Sequence, residues 1–249
     1  SDLFGLSTET DPKVAEVVRS ANRKITHLFV TSQAVKPFYE EAFAVPPERI
    51  YPTGIPVTDI YFDEERICQR KSSFYQKYPE LASKKILLYA PTFRRTDEEN
   101  RQIMDRFDAE RIHQILGDEW VILIRMHPKF PVENLPQNKY CYNMTDYNDI
   151  TDLYLVSDLF ITDYSSSVVE YALLDKPILL FAYDLAEYDR GFYFDYENMM
   201  PGQIAHTQTE LYELLQNNCD NLPKRQNFVK FQYDNMKGDA CGRILDILG

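Results

Sequence analysis

Three short stretches place chemistry-bearing side chains directly behind apolar runs. In "LFITDYSSSVVEY" the run 159–162 is followed by Asp163, Tyr164, Ser165, Ser166 and Ser167, with Glu170 one helical turn on. In "WVILIRMHP" Arg125 and His127 close a run that Pro128 stops, and in "LLYAPTFRR" Thr92, Arg94 and Arg95 follow another run behind Pro91. Hydroxyls and amides at the start of a helix suit phosphate oxygens, and an arginine fork matches the same group. A histidine can donate to a phosphate or protonate a leaving group near neutral pH. Glu170 can reach back from its helix toward the vicinal hydroxyls of a ribose. Each feature has a bland counterpart: Asp-Ser before a helix is ordinary capping, paired loop arginines are often solvated, and a lone histidine is more often structural. Convergence decides between them, because three strand ends aimed at one anion, with more serines than a cap requires, exceed what capping and solvation explain.

Such convergence requires the three runs to be strands of one sheet with their carboxyl ends at one edge. The chain reads as a βαβ rhythm. Strands are predicted at 26–32, 49–54, 85–91, 120–126, 139–142, 159–163 and 177–181. Helices are predicted at 33–43, 63–78, 105–117, 150–156, 166–175, 208–218, 223–233 and 239–248. Strands that are polar only at their ends are buried on both faces, which predicts a parallel sheet covered by helices: an α/β, Rossmann-like, doubly wound lobe with its ligand beyond the carboxyl ends. The polar segment 63–84 is the candidate boundary. Residues 1–62 hold about one βαβ unit and are predicted to be the returning end of a larger domain, with 63–249 the Rossmann-like lobe. The opening "SDLFGLSTET" predicts a truncated piece.

With 249 residues, 44% hydrophobic and 27% charged, the chain can bury a core. The net charge of -12, without a basic run, excludes a nucleic-acid partner on electrostatic grounds, so any phosphate is held locally. The four cysteines form no C-x-x-C pair and read as reduced thiols of a cytoplasm. No stretch approaches the roughly 20 apolar residues of a membrane span. A G-x-x-x-x-G-K-[ST] loop, a G-x-G-x-x-G turn after a strand and a G-x-S-x-G elbow are all missing, which argues against ordinary triphosphatases, nicotinamide enzymes and serine hydrolases. Asp195 and Glu197 lack a third ligand, and the sequence assigns no cofactor, Mg²⁺ being the ion that phosphoryl chemistry commonly recruits. His27, His113 and His206 are read as structural.

Taken in order, "YAPTFR", "RMHP", "TDYSSSVVEYALLDKPILLF", "YDRGFYFDYE" and "PGQIAHT" resemble the CDP-glycerol glycerophosphotransferase family, the teichoic-acid and capsule polymerases and primases of bacterial envelopes. The earlier "VTSQAVKPFYEEAFAVPPERIYPTGIPVTDIYF" is similar to the segment preceding that family's donor domain. The resemblance implies a glycosyltransferase-B-type enzyme of two Rossmann lobes, with 1–62 the end of the acceptor lobe and crossover and 63–249 the nucleotide-donor lobe. It implies transfer of glycerol phosphate or ribitol phosphate from a CDP-alditol to a hydroxyl of a lipid-linked acceptor, with release of CMP. The enzyme would be cytoplasmic and peripheral on the inner face of the membrane. Carried over by motif, His127 would be catalytic at the donor phosphates with Arg125 beside it. Asp163, Ser165, Ser166 and Ser167 would hold the pyrophosphate, Glu170 the ribose, and Thr92, Arg94 and Arg190 would line the site.

One departure concerns the family's second histidine, in a Trp-His-Gly-like motif, which has no counterpart here. "LFGLS" (3–7) resembles the sequence that follows it, so the acceptor base and the membrane contact are expected upstream of residue 1, and the fragment is expected to bind donor but turn over poorly. Two alternatives share the features: a sugar-nucleotide glycosyltransferase or epimerase on the same scaffold, and a non-catalytic receiver-like module using Asp163 as phosphate acceptor. The second needs an acidic pair at an early strand end, where this chain carries Ser32 and Thr92 to Arg94.

Overall fold

The structure, a computed structural model, describes residues 11–127, 135–188, 192, 194–217, 220–234 and 236–249. Along the chain run α1 (Pro12–Asn22), β1 (Leu28–Phe29), α2 (Lys36–Phe43), β2 (Ile50–Tyr51), α3 (Glu64–Lys77) and β3 (Lys85–Tyr89). Next come α4 (Asp97–Arg106), α5 (Ala109–Leu116), β4 (Trp120–Ile124), β5 (Cys141–Asn143), α6 (Ile150–Val156), β6 (Leu159–Thr162) and α7 (Ser167–Tyr171). The last are β7 (Ile178–Phe181), α8 (Tyr196–Met199), β8 (Gln203–Ala205), α9 (Gln208–Gln216), α10 (Leu222–Tyr233) and α11 (Ala240–Leu248).

Two compact units result: Ser1–Asp63 with Tyr188–Met199 and Asn227–Gly249, and Glu64–Glu187 with Met200–Gln226. In the first, β1 and β2 pair in parallel around α2. The carboxy-terminal segment joins this unit through specific bonds. Ser32 Oγ donates to the Phe231 carbonyl (2.7 Å), the Gln33 amide donates to Asp234 (2.8 Å), and Asp59 accepts from the Ala240 and Cys241 amides at the start of α11 (both 3.0 Å). A single cut near residue 62 therefore misses the return of the chain, because that return is held by side chains some 180 to 200 positions apart, which no local pattern announces.

The second unit carries a six-stranded, all-parallel sheet in the order β5-β4-β3-β6-β7-β8. Counted from β3 this is the 3-2-1-4-5-6 order of the doubly wound fold, whose direction of winding reverses between β3 and β6. The α/β expectation is met, and its physical basis is visible: Leu87, Leu88, Ile122, Leu123, Phe160, Ile161, Leu179 and Leu180 are all fully buried, so consecutive residues of each strand face apolar cover on both sides.

Two helix expectations change. The stretch 105–117 is two helices: Phe107 ends α4, and the Asp108 carboxylate caps α5 by accepting from the Arg111 amide (2.9 Å). Thr96 and Glu99 form a reciprocal capping box that starts α4. The helix expected at 166–175 is α-helical only to Tyr171, tightens to a 3-10 turn through Leu174, and stops at Asp175 in the left-handed region (φ 52°). Pro177 keeps Lys176 out of helical geometry, so the helix cannot run on past Asp175.

Candidate functional site

The carboxyl ends of β3 and β6 lie side by side at the reversal point, where open α/β sheets bind ligands. Ala90 N donates to Ile161 O (3.1 Å) and Thr162 Oγ1 donates to Ala90 O (2.8 Å), so the strands stay joined as their loops begin. Asp163, 1% exposed, then ties the loops together. Its Oδ1 accepts from the Thr92 amide (2.8 Å) and the Tyr164 amide (2.6 Å), and its Oδ2 accepts from Arg94 Nη2 (3.0 Å). Burial pushes the Asp163 carboxyl above its ordinary value, while Arg94 and the Thr92 amide pull it back.

Arg94 is buried and committed. Nε and Nη2 bond the two oxygens of Asp184 at 2.6 and 3.0 Å, and Nη1 donates to the Thr92 carbonyl (2.5 Å). Asn100 fixes its backbone from both sides, accepting from Arg94 N (2.8 Å) and donating to Arg94 O (3.0 Å). The guanidinium lies 5.2 Å from the Tyr164 ring centroid and 5.6 Å from that of Tyr183. Burial favours loss of its proton, but Asp163 and Asp184 outweigh this and hold the group above its ordinary value. Arg94 is thus positioned by, and positions, the ends of β3, β6 and β7.

Beyond Asp163 the serine turn is partly self-bonded. Ser165 Oγ donates to Ser167 Oγ (2.9 Å) and accepts from the Ser167 amide (3.2 Å), whereas Ser166, the residue at the cap position of α7, is exposed and makes no side-chain cap bond. Capping falls to Ser165. Among the described residues the Ser165 and Ser166 amides find no acceptor. Thr92 Oγ1 is likewise buried without a hydrogen-bond partner. These are donors in need of an acceptor at a strand edge.

His127 follows β4, and its ring packs on Phe93 of the β3 loop, centroids 4.8 Å apart at 57°. Arg125 turns toward the loop after β5, its Nη1 donating to the carbonyls of Met144 (3.0 Å), Thr145 (3.1 Å) and Tyr147. Burial lowers its pKa from the ordinary value. Glu170 lies partly buried on α7. Arg190 lies outside the described residues.

The structure therefore bonds Thr92, Arg94 and Asp163 directly to one another, sets the serines next in line and places His127 against the same loop. Asp184 and Asn100 were not read from the sequence, and Tyr164 was read only as a member of the turn, without a role. Asp184 follows β7 without a motif of its own, and only the fold brings it to Arg94. Among the described residues no three His, Cys, Asp or Glu side chains gather to hold a metal ion, and Asp195 is engaged as an acceptor for the Asn198 amide (3.2 Å) and side chain (2.6 Å).

A doubly wound lobe with polar strand ends at its reversal point is the nucleotide-binding architecture of glycosyltransferase-B-type proteins. The chain belongs to the CDP-Glycerol:Poly(glycerophosphate) glycerophosphotransferase family, whose sequence profile matches residues 2–248. It is 35% identical over 231 residues to the teichoic acid poly(ribitol-phosphate) polymerase of Bacillus spizizenii, covering 90% of this chain and 37% of that protein. Among solved structures it resembles the wall teichoic acid polymerase TagF, with a TM-score of 0.78 at 26% identity, covering 98% of this chain and 62% of the other. A UDP-GlcNAc 2-epimerase from Neisseria meningitidis, bound to UDP-GlcNAc, shares the fold alone: TM-score 0.58, 16% identity, covering 98% of this chain and 67% of the other. The chain spans well under two thirds of the length of the polymerase it matches. Among the described residues no helix is long and apolar enough to cross a membrane.

Proposed function

We propose that the second unit is the donor-binding lobe of an alditol-phosphate transferase, which moves glycerol phosphate or ribitol phosphate from a CDP-alditol to a hydroxyl of a lipid-linked acceptor in teichoic-acid or capsule synthesis. The observation that carries this reading is the place of the family's stretches: those around Thr92, His127 and Asp163 all fall at carboxyl ends of β3, β4 and β6, around the reversal point. Residues 1–62 then belong to the acceptor side, and the protein acts on the inner face of the membrane, where lipid-linked acceptors are presented.

In this reading Asp163 and Arg94 form the frame. The Ser165 and Ser166 amides, the hydroxyls of the turn and Thr92 Oγ1 hold the diphosphate, as donors fixed in place before charge develops. Glu170 takes the ribose hydroxyls, Arg190 is carried over from the family motif as a further donor-site residue, and His127 with Arg125 stabilises the departing phosphate. The acceptor oxygen attacks the alditol-bearing phosphorus in line. Its bond to phosphorus forms as the bond to the bridging oxygen breaks, CMP leaves with that oxygen, and the acceptor proton passes to a general base.

Calorimetric titration with CDP-glycerol, CDP-ribitol, CMP and UDP-N-acetylglucosamine tests this. A CDP-alditol is expected to bind best, and His127→Ala to raise its Kd about tenfold or more, the worth of one charged hydrogen bond. Preference for the UDP-sugar would instead assign the chain to sugar-nucleotide chemistry.

A further inference from the structure

We propose that Asp184 is a positioning residue of this site, acting through Arg94 on the loops that begin at Thr92 and Asp163; the proposal rests on the donor reading above. Asp184 stands just past β7, its side chain 18% exposed, and both of its oxygens are engaged by Arg94. The Tyr164 hydroxyl also donates to Asp184 Oδ1 (2.8 Å). A bidentate fork fixes the plane of the guanidinium as well as its place. That plane sets where Nη2 meets Asp163 Oδ2 (3.0 Å), and Asp163 in turn holds the Thr92 and Tyr164 amides (2.8 and 2.6 Å). Those two amides enter the Thr92 to Arg94 loop and the serine turn, so the chain of bonds from Asp184 sets how the two loops face each other.

Charge and position make opposite predictions here. Two carboxylates surround one guanidinium, so the cluster presents excess negative charge beside a diphosphate site. If Asp184 acted by charge alone, its neutralisation would tighten donor binding, most of all at low salt. If it acts by position, Asp184→Asn weakens binding, because an amide matches only part of the fork and leaves Arg94 free to pull Asp163 off the loop amides. Tyr164→Phe probes the same chain more gently, keeping the ring over Arg94 and losing one hydroxyl.

The test is calorimetry of the chain with CDP-glycerol and CDP-ribitol, alongside unliganded thermal melts. Asp184→Asn is expected to raise the Kd about tenfold and Tyr164→Phe about threefold, with the double variant no weaker than Asp184→Asn, since both act on one chain of contacts. Asp184→Glu, which restores a carboxylate, is expected to recover part of the loss. Donor binding by Asp184→Asn equal to or tighter than wild type, with its melt intact, would overturn the proposal, as would effects of the two substitutions that multiply. Should Asp184→Asn fail to fold, an unchanged Kd in Tyr164→Phe overturns it instead. A wild-type chain that binds neither CDP-alditol sinks the donor reading and this proposal with it, whereas wild-type binding with unaffected variants sinks only the role of Asp184.

Discussion

Lys176, between α7 and β7, donates its ammonium hydrogens to the carbonyls of Ser157 (2.6 Å), Leu155 (2.9 Å) and Tyr154 (3.4 Å). These lie at the end of α6, where a helix leaves acceptors unpaired and its dipole favours a cation. Burial, with Lys71 adding repulsion and Asp158 opposing it, nevertheless pushes the pKa down from 10.5 to about 8. The unfolded chain therefore keeps this proton to higher pH than the folded one, and stability rises with pH between about 8 and 10.5. The buried Cys141 thiol, pushed up from 9.0 to about 12, works in the opposite sense once unfolded thiols begin to ionise, which leaves pH 8 to 9 as the informative window. Urea titrations should show the unfolding free energy increasing by about 1 kcal/mol across that window, and Lys176→Met should abolish the rise. A flat wild-type profile would mean that the three carbonyl bonds hold the proton against desolvation. Residue-scale legibility has the same physical limit. The sequence marks Arg94 as a cation at a strand end, but whether its fork meets a ligand or two carboxylates depends on Asp184, 90 positions away.

At the scale of elements, Gly202 shows how close backbones constrain a strand pair. A Cβ added there would sit 2.2 Å from the Ile178 carbonyl oxygen and 2.8 Å from its carbon, at the point where β8 begins to pair with β7. Gly202→Ala must push the two strands apart, at a cost of about 2 kcal/mol in the range of overpacked sites. A denaturation midpoint matching wild type would show that β8 can move away without loss. The central strands were legible in the sequence because β3, β4, β6 and β7 are continuous apolar runs with polar residues only at their ends. β8 was not, since three residues with the pattern half-buried, half-buried, buried carry no periodicity. α1, of whose 11 residues only Ala15 is buried, was not read from the sequence either. The strand ends of the candidate site were legible as positions, while their mutual bonds, set by the sheet order, were not.

At the scale of the molecule, the two units differ in what holds them. The sheet of the second rests on a core that runs through all six strands and includes Leu87, Ile122, Ile161 and Leu179, each fully buried. Among its described residues the first has two strands of two residues each and a smaller cluster built on Val30, Val35, Val45 and Ile50, and it leaves Val17 and Leu245 at 70% and 67% exposure. Local opening costs least where few apolar contacts are broken. In native-state hydrogen exchange the amides of β3, β4, β6 and β7 should therefore be the last to exchange, opening only with global unfolding. The Val30 amide, bonded to the Tyr51 carbonyl at 2.9 Å, should exchange at least about tenfold faster, reflecting an opening about 1.4 kcal/mol less costly. The chain passes between the units at 63/64, 187/188, 199/200 and 226/227. A single common rate would mean that these crossings couple the units into one cooperative body, and that the difference in their cores is not expressed. Separate rates, together with selective slowing of the 90–94 and 163–168 segments on addition of a CDP-alditol, would assign both the stability and the ligand site to the six-stranded unit.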